Sequence, residues 1–291
     1  MPLHLFIILV AIGQSFWVSA PEGQVEVTKN IDSEHWVILT IDDGYRTVYE
    51  NVYPLLKKYR MKATCALIVD YIAGVKGGYA NSGTFLSYSQ IREMIDSLDI
   101  EIASHSLSHP FLTRLDSLSA WREILYSKTI LESLFGVPVI TFVYPYGDMN
   151  SRVIKLVRRA GYRLARAVRS GDFNLWVDPY RLPGFELRRE TSLEAVKQHI
   201  RSRRVSILLL HRIVEKPSKF TEWSRENFTA LIEWMHQERI QCITLADLYY
   251  EWQKELVKKM IQERSYRLSY FQPESLLQKV NIDATGTSSP R

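Results

Sequence analysis

The sequence predicts an α/β fold built on a parallel β-sheet. Short apolar runs of strand length alternate with amphipathic stretches of helical spacing through most of the chain. This alternation is typical of parallel strands joined by right-handed helical crossovers, in a sheet that is open or closed. The length of 291 residues fits two domains or one barrel of about 250 residues, so length alone does not decide.

Each element follows from a local pattern. Ser87 and Gln90 form a capping-box signature that opens one helix, and Gly136 and Gly161 are expected to end two others. The predicted strands cover residues 36–41, 63–69, 100–104, 139–144, 164–168, 205–210 and 241–244. The predicted helices cover residues 48–59, 87–98, 121–134, 151–160, 193–200 and 227–237.

The two ends of the chain differ from this central region. Residues 3–12 are apolar, Val18, Ser19 and Ala20 resemble a cleavage site, and no charged side chain precedes Glu22. We predict a signal peptide over 1–20, with an uncleaved membrane anchor or a structural segment as alternatives, and therefore a secreted or cell-surface protein. The main domain is expected over 21–248. Residues 249–291 are expected to form a helical extension and a disordered polar tail.

Composition excludes several classes of function. The formal net charge is +5, and the charged residues are interspersed along the chain, so we expect no nucleic-acid partner. An anionic cell-wall polymer is compatible with this charge. The arginines at 158, 159, 163, 166 and 169 are interpreted as a solvated face plus one or two site residues. Cys65 and Cys242 stand in apolar runs without a CxxC motif, which excludes a thiolate zinc site and predicts buried free thiols. A disulfide between them is the alternative for an exported protein. We expect a monomer.

Acidic and histidine side chains follow the ends of predicted strands. Asp42 and Asp43 come directly after the first strand, and Gly44 permits a sharp turn there. His105 and His109, four residues apart, follow the third strand and can ligate one metal ion. The carboxyl ends of parallel strands share one rim, where catalytic groups collect. Solvated turn carboxylates and packed histidines are the structural alternatives.

These residues together predict a metal site. Two histidines and one carboxylate leave coordination positions open for water and substrate. Such a ligand set suits Zn²⁺, and also Co²⁺, Ni²⁺ or Fe²⁺. Two further candidates stand at strand ends, where Tyr146 could present a backbone N–H to an oxyanion and His211 could act as a general acid. Aromatic loop packing and a hydrogen-bonded rim histidine are the alternatives for these two.

The order of these motifs resembles the polysaccharide deacetylase family, carbohydrate esterase family 4, whose unit is the NodB homology domain. The segments TIDDG, HSLSH, YPYG and LLLH carry the resemblance, which extends over about residues 36–248. It implies a distorted (β/α)7-type barrel with its site at the C-terminal ends of the strands. It also implies removal of N-acetyl groups from a glycan that resembles an N-acetylglucosamine polymer, chitin or peptidoglycan.

The resemblance also implies roles for individual residues. Asp42 corresponds to the catalytic base, and Asp43, His105 and His109 correspond to the metal ligands. Ser106 corresponds to a hydroxyl that braces the loop between the histidines. Through the same resemblance, the Tyr146 N–H stabilises the oxyanion and His211 protonates the leaving amine.

One position departs from the family pattern. Val143 stands where many members have an arginine that orients the base, and the FVYPYG segment resembles a subgroup that includes poly-N-acetylglucosamine deacetylases. We expect Arg166, on the next strand, to substitute for that arginine. Asp172 and Asp178 are the candidates for a carboxylate that tunes His211.

Two other functions stay open on the sequence alone. The same scaffold supports a catalytically silent glycan-binding module, and it also supports a hydrolase of small amides. The complete metal set argues against the first. The predicted leader and the aromatic-rich loops favour a polymeric substrate over small amides.

Overall fold

The computed structural model describes residues 35–75, 83–169 and 171–270. The predicted signal peptide and the polar tail beyond residue 270 lie outside the described residues. Within the described ranges, none of the helices combines the length and the apolar character that crossing a membrane requires.

The strands form one large parallel sheet and one small one. In chain order they are β1 (Trp36–Ile41), β2 (Thr64–Leu67), β3 (Glu101–Ser104), β4 (Thr141–Val143), β5 (Leu164–Arg166), β6 (Phe185–Glu186), β7 (Val205–Leu210), β8 (Arg212–Val214), β9 (Glu222–Ser224) and β10 (Gln241–Ile243). Strands β8 and β9 pair with each other only, beyond the end of β7.

The large sheet is curled, with the order β5-β4-β3-β2-β1-β7-β6. Strand β10 lies beside the first half of β1, and β2 lies beside its second half. Arg166 at the end of β5 forms a bridge with Leu182, three residues before β6, so the two edges of the sheet are linked. The expected distorted barrel is therefore confirmed, and its C-terminal strand ends meet at one rim.

Helices alternate with the strands as predicted. They are α1 (Tyr53–Tyr59), α2 (Tyr88–Leu98), α3 (Ser117–Phe135), α4 (Ser151–Arg159), α5 (Leu193–Arg201), α6 (Arg225–Gln237) and α7 (Leu245–Tyr270). A π-helical turn, Val48–Val52, precedes α1. Ser87 and Gln90 make the predicted capping box, and Gly136 ends α3 in the left-handed conformation with φ 64°.

The apolar sequence of the long strands explains their place in the core. All six residues of β1 and all six of β7 are buried, and the two strands pair over their full length. Parallel strands that are covered on both faces have nearly continuous apolar sequences. For this reason β1 and β7 were predicted with their observed bounds. Cys65 and Cys242 are free thiols, and burial raises the pKa of each to about 12.

Helix α7 packs against the end of the barrel opposite the site rim. Leu245, Leu248 and Trp252 are buried in a second apolar cluster that also contains Trp36. The indole N–H of Trp252 donates to the Leu175 carbonyl at 2.9 Å. The helix therefore continues across the predicted domain boundary at residue 248, and its first two turns belong to the core.

Candidate metal centre

Three side chains converge at the rim of the barrel. Asp43 follows β1, and His105 and His109 follow β3. Asp43 Oδ1 lies 3.4 Å from His105 Nε2 and 3.5 Å from His109 Nε2, and the two Nε2 atoms are 3.1 Å apart. Among the residues that the structure describes, Asp43, His105 and His109 form a group whose ligand atoms are close enough together to hold one metal ion.

The geometry of this triad fits a tetrahedral cation. Ligand atoms about 2.1 Å from a tetrahedral ion lie about 3.4 Å from one another. The three observed separations lie close to that value. Asp43 Oδ1 is also buried and accepts no hydrogen bond, so the donor set is arranged for a positive charge rather than for a protein donor.

The backbone around the site adopts left-handed conformations at four residues other than glycine. Asp43, Ser106, His109 and Tyr146 have φ values of 70°, 68°, 64° and 58°. Each such residue costs about 1 kcal/mol or more and persists only where its surroundings hold it. In this structure the strained residues turn the chain at the strand ends and direct the ligands toward one point.

Hydrogen bonds hold both histidines in place. His105 Nδ1 lies 2.8 Å from the Val143 carbonyl, so Nδ1–H donates to it and Nε2 faces Asp43. The N–H of His109 donates to the buried Ser106 hydroxyl at 2.9 Å. The hydroxyl contact expected of Ser106 is therefore present.

Asp42 lies behind the triad in a buried ion pair. Arg166 is fully buried, Asp42 is 2% exposed, and Nη2 of Arg166 donates to both Asp42 oxygens, to Oδ1 at 2.6 Å. Asp42 Oδ2 is 4.0 Å from His105 Nε2. The contact required for Arg166 to replace the missing arginine at position 143 is present.

The proposed acid His211 lies at the end of β7, directly beyond Leu210. Its Nδ1 atom is buried and has no hydrogen-bond partner among the described residues. Neither Asp172 nor Asp178, the two predicted candidates for its tuning carboxylate, forms a hydrogen bond with this atom. Asp172 pairs with Arg203 at 2.6 Å, and Asp178 accepts the Tyr180 N–H at 2.9 Å.

Tyr146 projects beside the triad rather than into the core. Its side chain is 56% exposed, and its ring lies 4.4 Å from the ring of His109. It also stacks on Phe111, with the centroids 4.0 Å apart and the planes inclined by 12°. Gly147 is required here because a Cβ would lie 2.9 Å from the Val168 nitrogen. The aromatic pair was not predicted, since it joins residues that are distant in sequence.

Charge at the triad favours a cation site. Burial opposes ionisation of Asp43, but the nearby His105, His211 and His109 hold the pKa of its carboxyl below the usual value. Burial, reinforced by the charge of His105, lowers the pKa of His109 to about 4. His109 is therefore neutral at pH 7, which is the form that binds a metal ion.

A second, partly buried ion pair lies next to His211 and was also missed. Arg212 donates to Glu222 at 2.7 Å, and its guanidinium lies 5.3 Å from the ring centre of Tyr45. Glu222 is 3% exposed and also accepts the N–H groups of Ser218 and Lys219. The sequence signal for this pair was an arginine directly after a histidine at a strand end. Nothing in the local sequence identifies Glu222 as the carboxylate that pairs with it.

The fold and the site together define an α/β barrel protein with a candidate two-histidine, one-carboxylate metal centre at the strand ends. Residues 29–165 match the model of the polysaccharide deacetylase family. The resemblance that the motifs predicted is therefore confirmed.

Individual relatives agree with this assignment. The Bacillus subtilis protein YxkH carries the name of the same family. It is 32% identical to this chain over 139 residues, which make up 48% of this chain and 47% of YxkH. The poly-β-1,6-N-acetyl-D-glucosamine N-deacetylase of Staphylococcus epidermidis is 28% identical over 50% of this chain and 53% of its own length. The chain therefore spans about half the length of the curated relatives it matches.

A solved structure also matches. The Streptococcus pyogenes deacetylase PplD, determined in complex with acetate, is 25% identical and superposes with a TM-score of 0.50. The match covers 55% of this chain and 67% of PplD.

Proposed function

We propose that this protein is a metal-dependent hydrolase that removes N-acetyl groups from a glycan and releases acetate. The observation that carries the proposal is the convergence of the Asp43, His105 and His109 ligand atoms within 4.8 Å, beside a buried Asp42. The family and the names of the relatives support an N-acetylglucosamine polymer or a related cell-wall glycan as substrate.

Asp43, His105 and His109 would hold the cation, for which Zn²⁺ is the first candidate because its ligand geometry fits the observed spacing. When bound, the cation would lower the pKa of a coordinated water and polarise the acetyl carbonyl. Co²⁺, Ni²⁺ and Fe²⁺ accept similar ligands.

The surrounding residues would then carry out the two proton transfers and stabilise the oxyanion. Asp42, fixed by Arg166, would accept the proton of the attacking water as its oxygen bonds to the acetyl carbon. The backbone N–H of Tyr146 would donate to the carbonyl oxygen as negative charge develops there. His211 would protonate the glycan nitrogen as the C–N bond breaks, so that acetate and a free amine leave.

The proposed location of the enzyme is extracellular. The predicted signal peptide supports export, and a glycan of the cell wall or cell surface would be reached there. Cleavage at residue 20 would be checked by sequencing the N-terminus of the protein recovered from its native location.

Acetate release from N-acetylglucosamine oligomers tests the proposal. The purified chain, stripped by a chelator and reloaded with Zn²⁺, should release acetate, whereas the Asp42→Asn variant should be at least 100-fold slower. Asp99→Asn, at the end of α2, is the matched control. Absence of acetate release from every N-acetylated glycan by a protein with bound metal would reject the proposed function.

A further inference from the structure

A column of side chains in ring contact leads away from the metal centre along the rim. It begins at His109, continues through the rings of Tyr146 and Phe111, and ends at Arg114. The guanidinium carbon of Arg114 lies 4.2 Å from the centre of the Phe111 ring. Phe111 is 37% exposed, and Arg114 is exposed as well. The column therefore presents an aromatic edge and a cation to solvent next to the reacting centre.

The outer part of this column is held rigidly. Asp148 accepts the N–H of Thr113 at 2.8 Å and also its hydroxyl. Arg152, from α4, donates to the carbonyls of Leu112, Thr113 and Leu115 at 3.2, 3.2 and 2.8 Å. The 3₁₀ turn that carries Arg114 is thus fastened to the YPYG turn that carries Tyr146. Such fastening sets the position of a binding group before the ligand arrives.

Arg114 has no carboxylate partner in the described part of the chain, although three carboxylates belong to the adjoining segments. Asp148 is engaged by Thr113, and Asp116 accepts the N–H groups of Leu118 and Ser119. Glu123 accepts the N–H groups of residues 107 and 108. Backbone donors occupy all three acids, and none of them pairs with Arg114, so its guanidinium stays available to a ligand.

A guanidinium stacked on an aromatic ring keeps its N–H donors in its own plane, directed away from the ring. That fork matches the two oxygens of a carboxylate. Lysine does not offer the same planar match. The arrangement at Arg114 therefore favours a planar anion that approaches along the rim.

We propose that Phe111 and Arg114 form a subsite for a glycan residue that neighbours the deacetylated sugar and carries a carboxylate. The sugar would lie along the exposed edge of the Phe111 and Tyr146 rings, and its carboxylate would pair with Arg114. The proposal rests on the proposed deacetylase function and narrows its substrate class to an acidic N-acetylated glycan.

Two matched probes test this subsite. One is an N-acetylglucosamine oligosaccharide in which the neighbouring sugar bears a carboxylic acid on an ether side chain, and the other is its methyl amide. Arg114→Gln should reduce the preference for the acid probe about tenfold in kcat/KM, mainly by raising KM. Arg159→Gln is the control, because Arg159 also stacks on an aromatic ring, Trp121 at 5.1 Å, but stands at the end of α4 away from the rim.

The outcomes separate the subsite from the proposed function. If Arg114→Gln affects both probes equally or neither, the carboxylate subsite is rejected. Calorimetric binding of both probes to the Zn²⁺-loaded protein supplies a second measurement. Tighter binding of the acid that is lost in Arg114→Gln would support the subsite even without turnover, and that result would reject only the hydrolase.

Discussion

At the scale of single residues, the Asp42–Arg166 pair makes a clear prediction about stability. Both side chains are buried, and removing the guanidinium leaves Asp42 as an unpaired charge in the core. Arg166→Met should lower the free energy of unfolding by about 3 kcal/mol, as measured by urea denaturation. Arg158→Met is a suitable control, since its exposed ion pair with Asp178 is expected to contribute less than about 1 kcal/mol.

The coupling between the two residues can be measured directly. Asp42→Asn combined with Arg166→Met should destabilise the protein by clearly less than the sum of the single changes, because no charge is left buried. Simple additivity would mean that the two side chains do not depend on each other.

The hydroxyl of Ser106 leads to a separate prediction about metal affinity. It accepts the N–H of His109, whose backbone is held at a φ of 64°. Ser106→Ala should raise the dissociation constant for Zn²⁺ about tenfold, measured by competition with a chelator, because the ligand loop loses its internal bond. Ser108→Ala removes a hydroxyl from the same loop that bonds Glu123 instead, and its affinity should change much less. Equal losses in both variants would contradict a specific role for Ser106.

Residue chemistry explains which parts of the site could be predicted. Asp43, His105 and His109 were identified because few residue types bind metals and because strand ends share a rim. Arg166 could be proposed because it stands on the neighbouring strand. The Phe111–Tyr146 stack and the Arg212–Glu222 pair could not, since each depends on how two loops approach in space.

At the scale of secondary structure, a partly buried carboxyl anchors α7. Glu101 on β3 accepts the hydroxyls of Thr64, at 2.7 Å, and Thr141, and the N–H of Ala246, at 2.9 Å, in the first turn of α7. Burial raises the pKa of this carboxyl above the usual 4.5, although the hydrogen bonds oppose the shift. The folded protein therefore binds this proton more tightly than the unfolded chain does.

The sign of the resulting pH dependence follows from linkage. Between pH 4.5 and the higher folded pKa, the contribution of Glu101 to stability falls as the pH rises, and above that pKa it is constant. The difference in unfolding free energy between the wild type and Glu101→Gln should therefore decrease across that window in denaturation series at several pH values. A difference that grows with pH would mean that burial does not raise the pKa of Glu101.

The strands that the sequence did not predict are those whose local pattern is weakest. Strands β1 and β7 were located with their observed bounds because six consecutive buried residues produce an unambiguous apolar run. Strand β6 has two residues and follows Pro183 and Gly184, and β8 and β9 have three each outside the barrel. Segments that short have no usable periodicity, so only tertiary pairing defines them.

At the scale of the whole molecule, metal binding and folding should be linked, because the triad joins loops from β1 and β3. A ligand that binds only the folded state stabilises it by about 2.7 kcal/mol at 100 times its dissociation constant. For a domain of about 230 residues, this corresponds to a rise in Tm of roughly 5–10 °C in calorimetry. Chelator-treated protein should lose the rise, and added Zn²⁺ should restore it. His109→Ala should bind too weakly to respond, whereas His236→Ala, on α6, should respond like the wild type. An equal rise in His109→Ala would show that Zn²⁺ stabilises the protein from a site other than this triad.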